Sequence, residues 1–276
     1  MIRDITIGQF YPVESLIHKL DPRTKLAFTF LYVLSLFFAN NKYMYLLAFV
    51  TLVVYILLSR IPIGYMLKGL RGILVFIILS VVLNMFFTRG DPFLEWGFIH
   101  ITWQGFRTAC YTLMRILFLV LGASVITYTT TPTKLTDGLE QSFHWLNRFR
   151  IPVHEMAMMV SIALRFIPIL VEELNKIMKA QQARCADFES GNLLQRLKSL
   201  FPVILPMFVS AIRRANDLAL AMESRCYRGG EGRTKLRPLK YENRDGFAYF
   251  CLLVYILGMA ALRFWGIWSQ FQVFEG

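Results

Sequence analysis

The chain is poor in charge, and poorer still in the residue groupings that chemistry needs. Only 17% of its 276 residues are Asp, Glu, Lys or Arg, and the 18 acidic residues are outnumbered by 30 basic ones. There are four cysteines, Cys110, Cys185, Cys226 and Cys251, with no CxxC pair among them. That excludes a disulfide framework and leaves reduced thiols as the default. A zinc site built on Cys185 and Cys226 needs two more ligands, and the nearest histidines, His144 and His154, have no ligand-like spacing. No G-x-x-x-x-G-K-[ST] occurs, so the chain has no loop to cradle ATP phosphates. No H-E-x-x-H occurs, and no apolar run holds a carboxylate cluster, which argues against a zinc protease and a proton relay. No catalytic, cofactor or metal site is expected. The first cations, Arg3, Lys19, Arg23 and Lys25, are not preceded by a long apolar core. A cleaved signal peptide is therefore not expected, and the first span should act as an uncleaved anchor.

Apolar residues are abundant instead. They make up 56% of the chain, and mean hydropathy is +0.48; such values point to an all-α integral membrane protein. The net charge of +12 does not imply nucleic-acid binding, because the cations gather in segments flanking apolar runs. The runs are Leu26–Ala39, Tyr43–Ser59, Gly72–Thr88, Thr108–Thr131 and Gly246–Leu262, and they predict five spans. The first two are short against a ~30 Å core, a shortfall that a tight hairpin through Asn40-Asn41-Lys42 can absorb. Asp21-Pro22 predicts a capped helix start. Cations gather at the N-terminus, around Arg60–Arg71 and through Pro132–Asp245. This bias predicts a cytoplasmic N-terminus and an outside C-terminus. Three parts are expected: residues 1–131 with four spans, a cytoplasmic coupling region over 132–245, and a last span with its tail over 246–276.

The long region carries two helical stripes. One runs Met156, Val160, Ala163, Ile167, Leu170, Leu174, Ile177, with Glu172 and Lys176 on the other face; Pro168 should kink or split it. The second runs Ile204, Phe208, Ala211, Ala215, Leu218, Met222, with Arg213 and Asp217 facing away. These stripes suit helices packed on each other beneath the bilayer or lying in its interface. Each stripe ends in the same frame. Ala180–Cys185 reads A-Q-Q-A-R-C, and Ala221–Cys226, 41 residues later, reads A-M-E-S-R-C. A helix dipole stabilises one terminal Arg by about 0.3–1 kcal/mol, but it does not explain the recurrence. A planar guanidinium fork suits carboxylates on a partner, so Arg184 and Arg225 are candidate docking residues. Arg115, inside the fourth run, either reaches an interface or pairs within the protein.

Several ordered motifs together resemble the T component of energy-coupling factor transporters, the EcfT/CbiQ family, over nearly the whole chain. They are Tyr11-Pro12, Ser15, His18 and Leu20–Lys25 near the N-terminus, then Thr130-Thr131-Pro132 with Leu135–Glu140 after the fourth run. Ile151–Glu155, Leu164–Pro168 and the tripeptides Ala183-Arg184-Cys185 and Ser224-Arg225-Cys226 complete the set. Cys226–Gly232 resembles the vitamin-importing, shared-module subgroup. That subgroup commonly has Gly after the first Arg, where this chain has Cys185, which argues against a strict left-handed cap there. It commonly has Ala before the second, where this chain has Ser224.

The resemblance implies a non-catalytic membrane scaffold of an ABC-type importer in a prokaryotic cell membrane. It would join two cytoplasmic ATPases to a substrate-specific S component that binds a vitamin or metal ion. The two Arg tripeptides would dock the ATPases. The S component should touch adaptable apolar positions such as Met156, Met159 and Met207. The alternatives are a self-contained secondary transporter, which needs ionisable residues at the midplane, and a membrane scaffold with no transport role.

Overall fold

A computed structural model describes residues 10–88, 92–96, 99–186, 188, 193–230 and 238–274, with side chains of 92–101, 193–197 and 266–274 outside the description. Helices dominate, so the chain is an all-α membrane protein with one small exception. In the loop expected around Arg89–His100, β1 (Pro92–Trp96) and β2 (Ile99–Thr102) pair antiparallel as a two-stranded hairpin. The chain divides into two units. One comprises residues 1–138 and 239–276, the other residues 139–238.

The first unit contains α1 (Pro22–Phe37), α2 (Lys42–Ser59), α3 (Ile63–Leu70), α4 (Leu74–Phe87), α5 (Trp103–Thr129), the start of α6 (Pro132–Ser142) and α9 (Asn243–Phe274). Three of these, α2, α5 and α9, are long and apolar enough to cross a membrane. The third expected span, Gly72–Thr88, is occupied by α4, while α3 forms in the stretch expected as the Arg60–Arg71 loop; the two meet at 67°, and count as a fourth span only if the bent pair is taken as one. The remaining expected span, α1, has 16 residues and is about 24 Å long, below a typical hydrocarbon thickness.

α1 is held by packing on α5 and α2. Tyr32, Leu36, Met44, Ala48, Phe118 and Tyr255 form the buried cluster where α1, α2, α5 and α9 meet. Contact with α5 is possible because position 122 is glycine; a Cβ there would lie 2.6 Å from the Tyr32 ring. At the far end of α1, Arg115 donates to the Ala39 carbonyl (3.0 Å) and to the Tyr45 hydroxyl (3.1 Å). The charge inside the fourth run is therefore paired within the protein, on a carbonyl that the end of α1 leaves open.

The start of α1 is tied more tightly. Asp21 caps the helix by accepting from the Arg23 N–H at 2.9 Å, with Pro22 at the first helical position, as the sequence predicts. Its own N–H donates to Asp245 Oδ1 of α9 (2.9 Å), whose Oδ2 accepts from the Glu242 N–H. Lys25, 2% exposed, donates to the Thr129 carbonyl (3.0 Å) and Thr130 Oγ1 (3.2 Å) at the end of α5. Arg23 donates to the Leu239 carbonyl and lies 4.6 Å over the Tyr241 ring. Upstream, the Tyr11 N–H donates to the Tyr128 carbonyl. His18 Nε2–H donates to the Tyr11 carbonyl, which leaves Nδ1 to accept from the Ser15 hydroxyl. That arrangement needs a neutral ring, and burial lowers the His18 pKa accordingly.

Lys25→Met leaves the Thr129 carbonyl without its donor and removes a cation near the buried Asp21 and Asp245, a loss expected to cost about 3–5 kcal/mol. The thermal unfolding midpoint of the detergent-solubilised chain should fall well below that of the unaltered protein. An equal midpoint would mean that Lys25 is no keystone of this end of the fold.

Candidate functional site

The second unit is built on α7 (Val153–Ala183) and α8 (Leu193–Ser224). Each helix is continuous through its prolines: Pro168 does not split α7, nor do Pro202 and Pro206 split α8. Glu173 meets Ser210 and Arg214, while Gln181, later in α7, meets Pro202, earlier in α8. The helices therefore run antiparallel, and their C-terminal ends lie at opposite ends of the pair. The Gln181 contact has a local reason. Pro206 has no N–H for the Pro202 carbonyl, and the Gln181 amide donates to it at 3.4 Å.

The repeated frame encodes a helix cap. At the end of α7, the Ala186 N–H donates to the Gln181 carbonyl and the Cys185 N–H to the Gln182 carbonyl, both at 3.0 Å. At the end of α8, the Tyr227 N–H donates to the Met222 carbonyl at 3.1 Å and the Cys226 N–H to the Glu223 carbonyl at 2.9 Å. Both are Schellman motifs, with Arg184 and Arg225 at the C-cap and a cysteine at the left-handed position. Cys185 has φ 65° and Cys226 φ 57°. The expectation that Cys185 disfavours a left-handed cap is thus corrected. Two paired backbone bonds hold it there against a cost of about 1–2 kcal/mol for a non-glycine residue. Ala183, Arg184, Cys185, Ser224, Arg225 and Cys226 are all exposed. Each guanidinium therefore leaves a helix end at a backbone position that hydrogen bonds fix.

Chain after the second cap returns over the start of α7. Gly230 lies so close to His154 that a Cβ would overlap its ring, and Gly229 takes φ +94°. His154 Nδ1 in turn donates to Glu140 Oε1 at 2.8 Å. Three motifs far apart in the chain, around Glu140, His154 and Gly229-Gly230, meet here.

The apolar stripes need one revision. Met156, Val160 and Ile167 in the first half of α7 are exposed, as are Ile204 and Phe208 in α8, whereas Leu170, Leu174 and Ile177 are half-buried. Met159 is exposed too, and Met207 is half-buried. The stripes are buried against each other only in part, and their remaining length is uncovered within the unit. Arg213 and Asp217 face outward as expected.

Sequence reasoning missed the polar contact in the seam. Glu173 Oε2 accepts from Arg214 Nη2 (2.9 Å) and Nε (3.2 Å), while Oε1 accepts from the Ser210 hydroxyl. The Ser210 hydrogen bond and then the Arg214 charge hold the Glu173 carboxyl below the ordinary carboxylate range. Position 173 lies three after Leu170 and four before Ile177, and position 214 lies three after Ala211 and four before Leu218. Opposite charges at the stripe register of two neighbouring helices were the available signal.

Cys185→Gly and Cys226→Gly remove the left-handed penalty, and each should stabilise its cap by about 1 kcal/mol. Ile at either position, being β-branched, should fray it. Amide exchange over the last turn of each helix reports the change; faster exchange in the Gly variants would show that the caps are not held as described.

The chain matches the model of the family CbiQ, described as cobalt transport protein, over residues 13–236. It is 46% identical over 267 residues to a Clostridium kluyveri protein named energy-coupling factor transporter transmembrane protein EcfT, covering 96% of this chain and 99% of that one. It is 48% identical over 245 residues to the protein of the same name from Ruminiclostridium cellulolyticum, covering 89% and 92% of the two chains. With that from Bacillus subtilis it shares 42% identity over 265 residues, covering 96% and 98%.

Proposed function

The chain belongs to the CbiQ family, together with the energy-coupling factor transmembrane proteins, and we propose that it links two cytoplasmic ATPases to a substrate-binding S component for ATP-driven vitamin or metal-ion uptake. It is a membrane component of a transporter and not the catalytic subunit; ATP hydrolysis falls to the partners. The observation that carries the reading is the pair of identical Arg-bearing caps at opposite ends of α7 and α8. Two like tips facing away from each other suit two like partners. A pre-set C-cap position lets each guanidinium engage carboxylates or carbonyls with little loss of backbone freedom. The uncovered apolar lengths of α7 and α8, with exposed Met156 and Met159 and half-buried Met207, suit an S component in the membrane plane.

Arg184→Ala and Arg225→Ala should each weaken ATPase co-purification and substrate uptake, by about 2–5 kcal/mol of attachment. The double variant should lose both, because the second attachment is effectively intramolecular once the first is made. Arg→Lys should restore only part. Polar substitution of Met156 and Met159 should instead release the S component and leave the ATPases bound. Full assembly and uptake in the double Ala variant would falsify the docking role.

Charge bias supports a cytoplasmic N-terminus and an outside C-terminus. Gln272→Cys, with the four native cysteines replaced by Ala, should react with an impermeant thiol reagent in intact cells. Labelling only after lysis would place the C-terminus inside.

A further inference from the structure

The polar contact between α7 and α8 has a position as well as a chemistry. Glu173 stands eleven residues before Arg184, and Arg214 stands eleven residues before Arg225. Eleven helical residues are about 16 Å. The ion pair therefore sits midway along an antiparallel pair, with the two tips about 30 Å apart. Apolar packing contributes little to that separation. No residue of α7 is fully buried, and the seam around Leu170, Leu174 and Ile177 is half-open, so apolar packing alone permits sliding and splaying. Among the described residues, other contacts bear on register as well: the exposed Gln181 contact at 3.4 Å, the buried Val203 of α8, and Gly230 after α8 packed on His154 at the start of α7. Glu173 is bonded through both oxygens: Oε1 accepts from the Ser210 hydroxyl, and Oε2 accepts from Nε and Nη2 on one edge of the Arg214 guanidinium. Such a fork is directional, and one-turn slippage of α8 along α7, about 5 Å, would break all three bonds together.

We propose that Glu173, with Ser210 and Arg214, is a positioning site that sets the distance and opposed direction of the two Arg tips, so that both reach their partners at once. This rests on the docking role proposed for Arg184 and Arg225, and it assigns to the ion pair a part in coupling rather than in folding alone. The effective concentration of a second attachment falls steeply when the span between two sites is no longer matched.

The native thiols allow a direct test. Cys185 and Cys226 are exposed, each next to its arginine. With Cys110 and Cys251 replaced by Ala, spin labels on the remaining two report the tip separation in the full-length chain in lipid nanodiscs, without partners. A single narrow distribution near 30 Å is expected. Glu173→Gln and Arg214→Gln should broaden it at least twofold, and Ser210→Ala, which leaves the ion pair, should broaden it less. The reversed pair, Glu173→Arg with Arg214→Glu, should restore a narrow distribution, a rescue that loss of folding does not allow. In the assembled transporter, Glu173→Gln should lower the maximal uptake rate about tenfold while the half-saturating substrate concentration stays unchanged. An unaltered distribution in the Gln variants, or no recovery in the reversed pair, overturns the positioning role. A broadened distribution with unaltered ATPase assembly and uptake would leave the clamp standing and overturn its part in coupling, while the docking itself stands or falls with the Arg184→Ala, Arg225→Ala double variant.

Discussion

The membrane unit depends on a buried set of charges at one end of its helices. Lys25 on α1 donates to the last carbonyl of α5 and lies near Asp21 and Asp245. Asp245 at the start of α9 accepts the Asp21 N–H. Three helix termini from sequence positions near 21, 129 and 245 are thereby fixed at one point. Each group serves a terminus whose backbone would otherwise be unpaired: a cation on the carbonyl end of α5 and carboxylates on the amide ends of α1 and α9. The short α1, unable to depend on length for its place in a bilayer, is held at its other end by Arg115 on the Ala39 carbonyl. Charges that look out of place in apolar runs thus close helices.

Much of this was legible from residues. Asp21-Pro22 marked the start of α1, the apolar runs located α2, α5 and α9, and the repeated A-x-x-[AS]-R-C frame located the ends of α7 and α8. What was not legible has physical causes. The helix α3, Ile63–Leu70, lies in the cation-bearing stretch Arg60–Arg71, whose Lys68, Gly69 and Arg71 marked it as a loop between runs. Stripe periodicity said which residues share a face of α7 but not that Met156 and Val160 stay uncovered, because a helix face carries no label for its partner. Glu173 and Arg214 were hidden by the rule that charges face water, which fails when two opposite charges occupy matching positions on neighbouring helices. Cys185 was read against glycine preference alone, whereas the two cap bonds outweigh that preference.

The motifs that resemble one family fall at two kinds of place. Tyr11, Ser15, His18, Asp21, Arg23, Lys25 and Thr130 belong to the charge-and-carbonyl network of the membrane unit. Glu140, His154 and the two Arg-Cys pairs belong to the termini of α7 and α8 and their surroundings. Spans themselves carry little of the signature, since an apolar helix face tolerates many side chains, whereas a buried carbonyl needs a particular donor at a particular place.

A rod pinned at its midpoint has two equal arms. With the Glu173–Arg214 contact eleven residues from either cap, a rotation about that contact displaces both ends by the same amount in opposite senses, and neither end has a mechanical advantage over the other. A push of given size at either cap therefore has the same leverage on the contact between them.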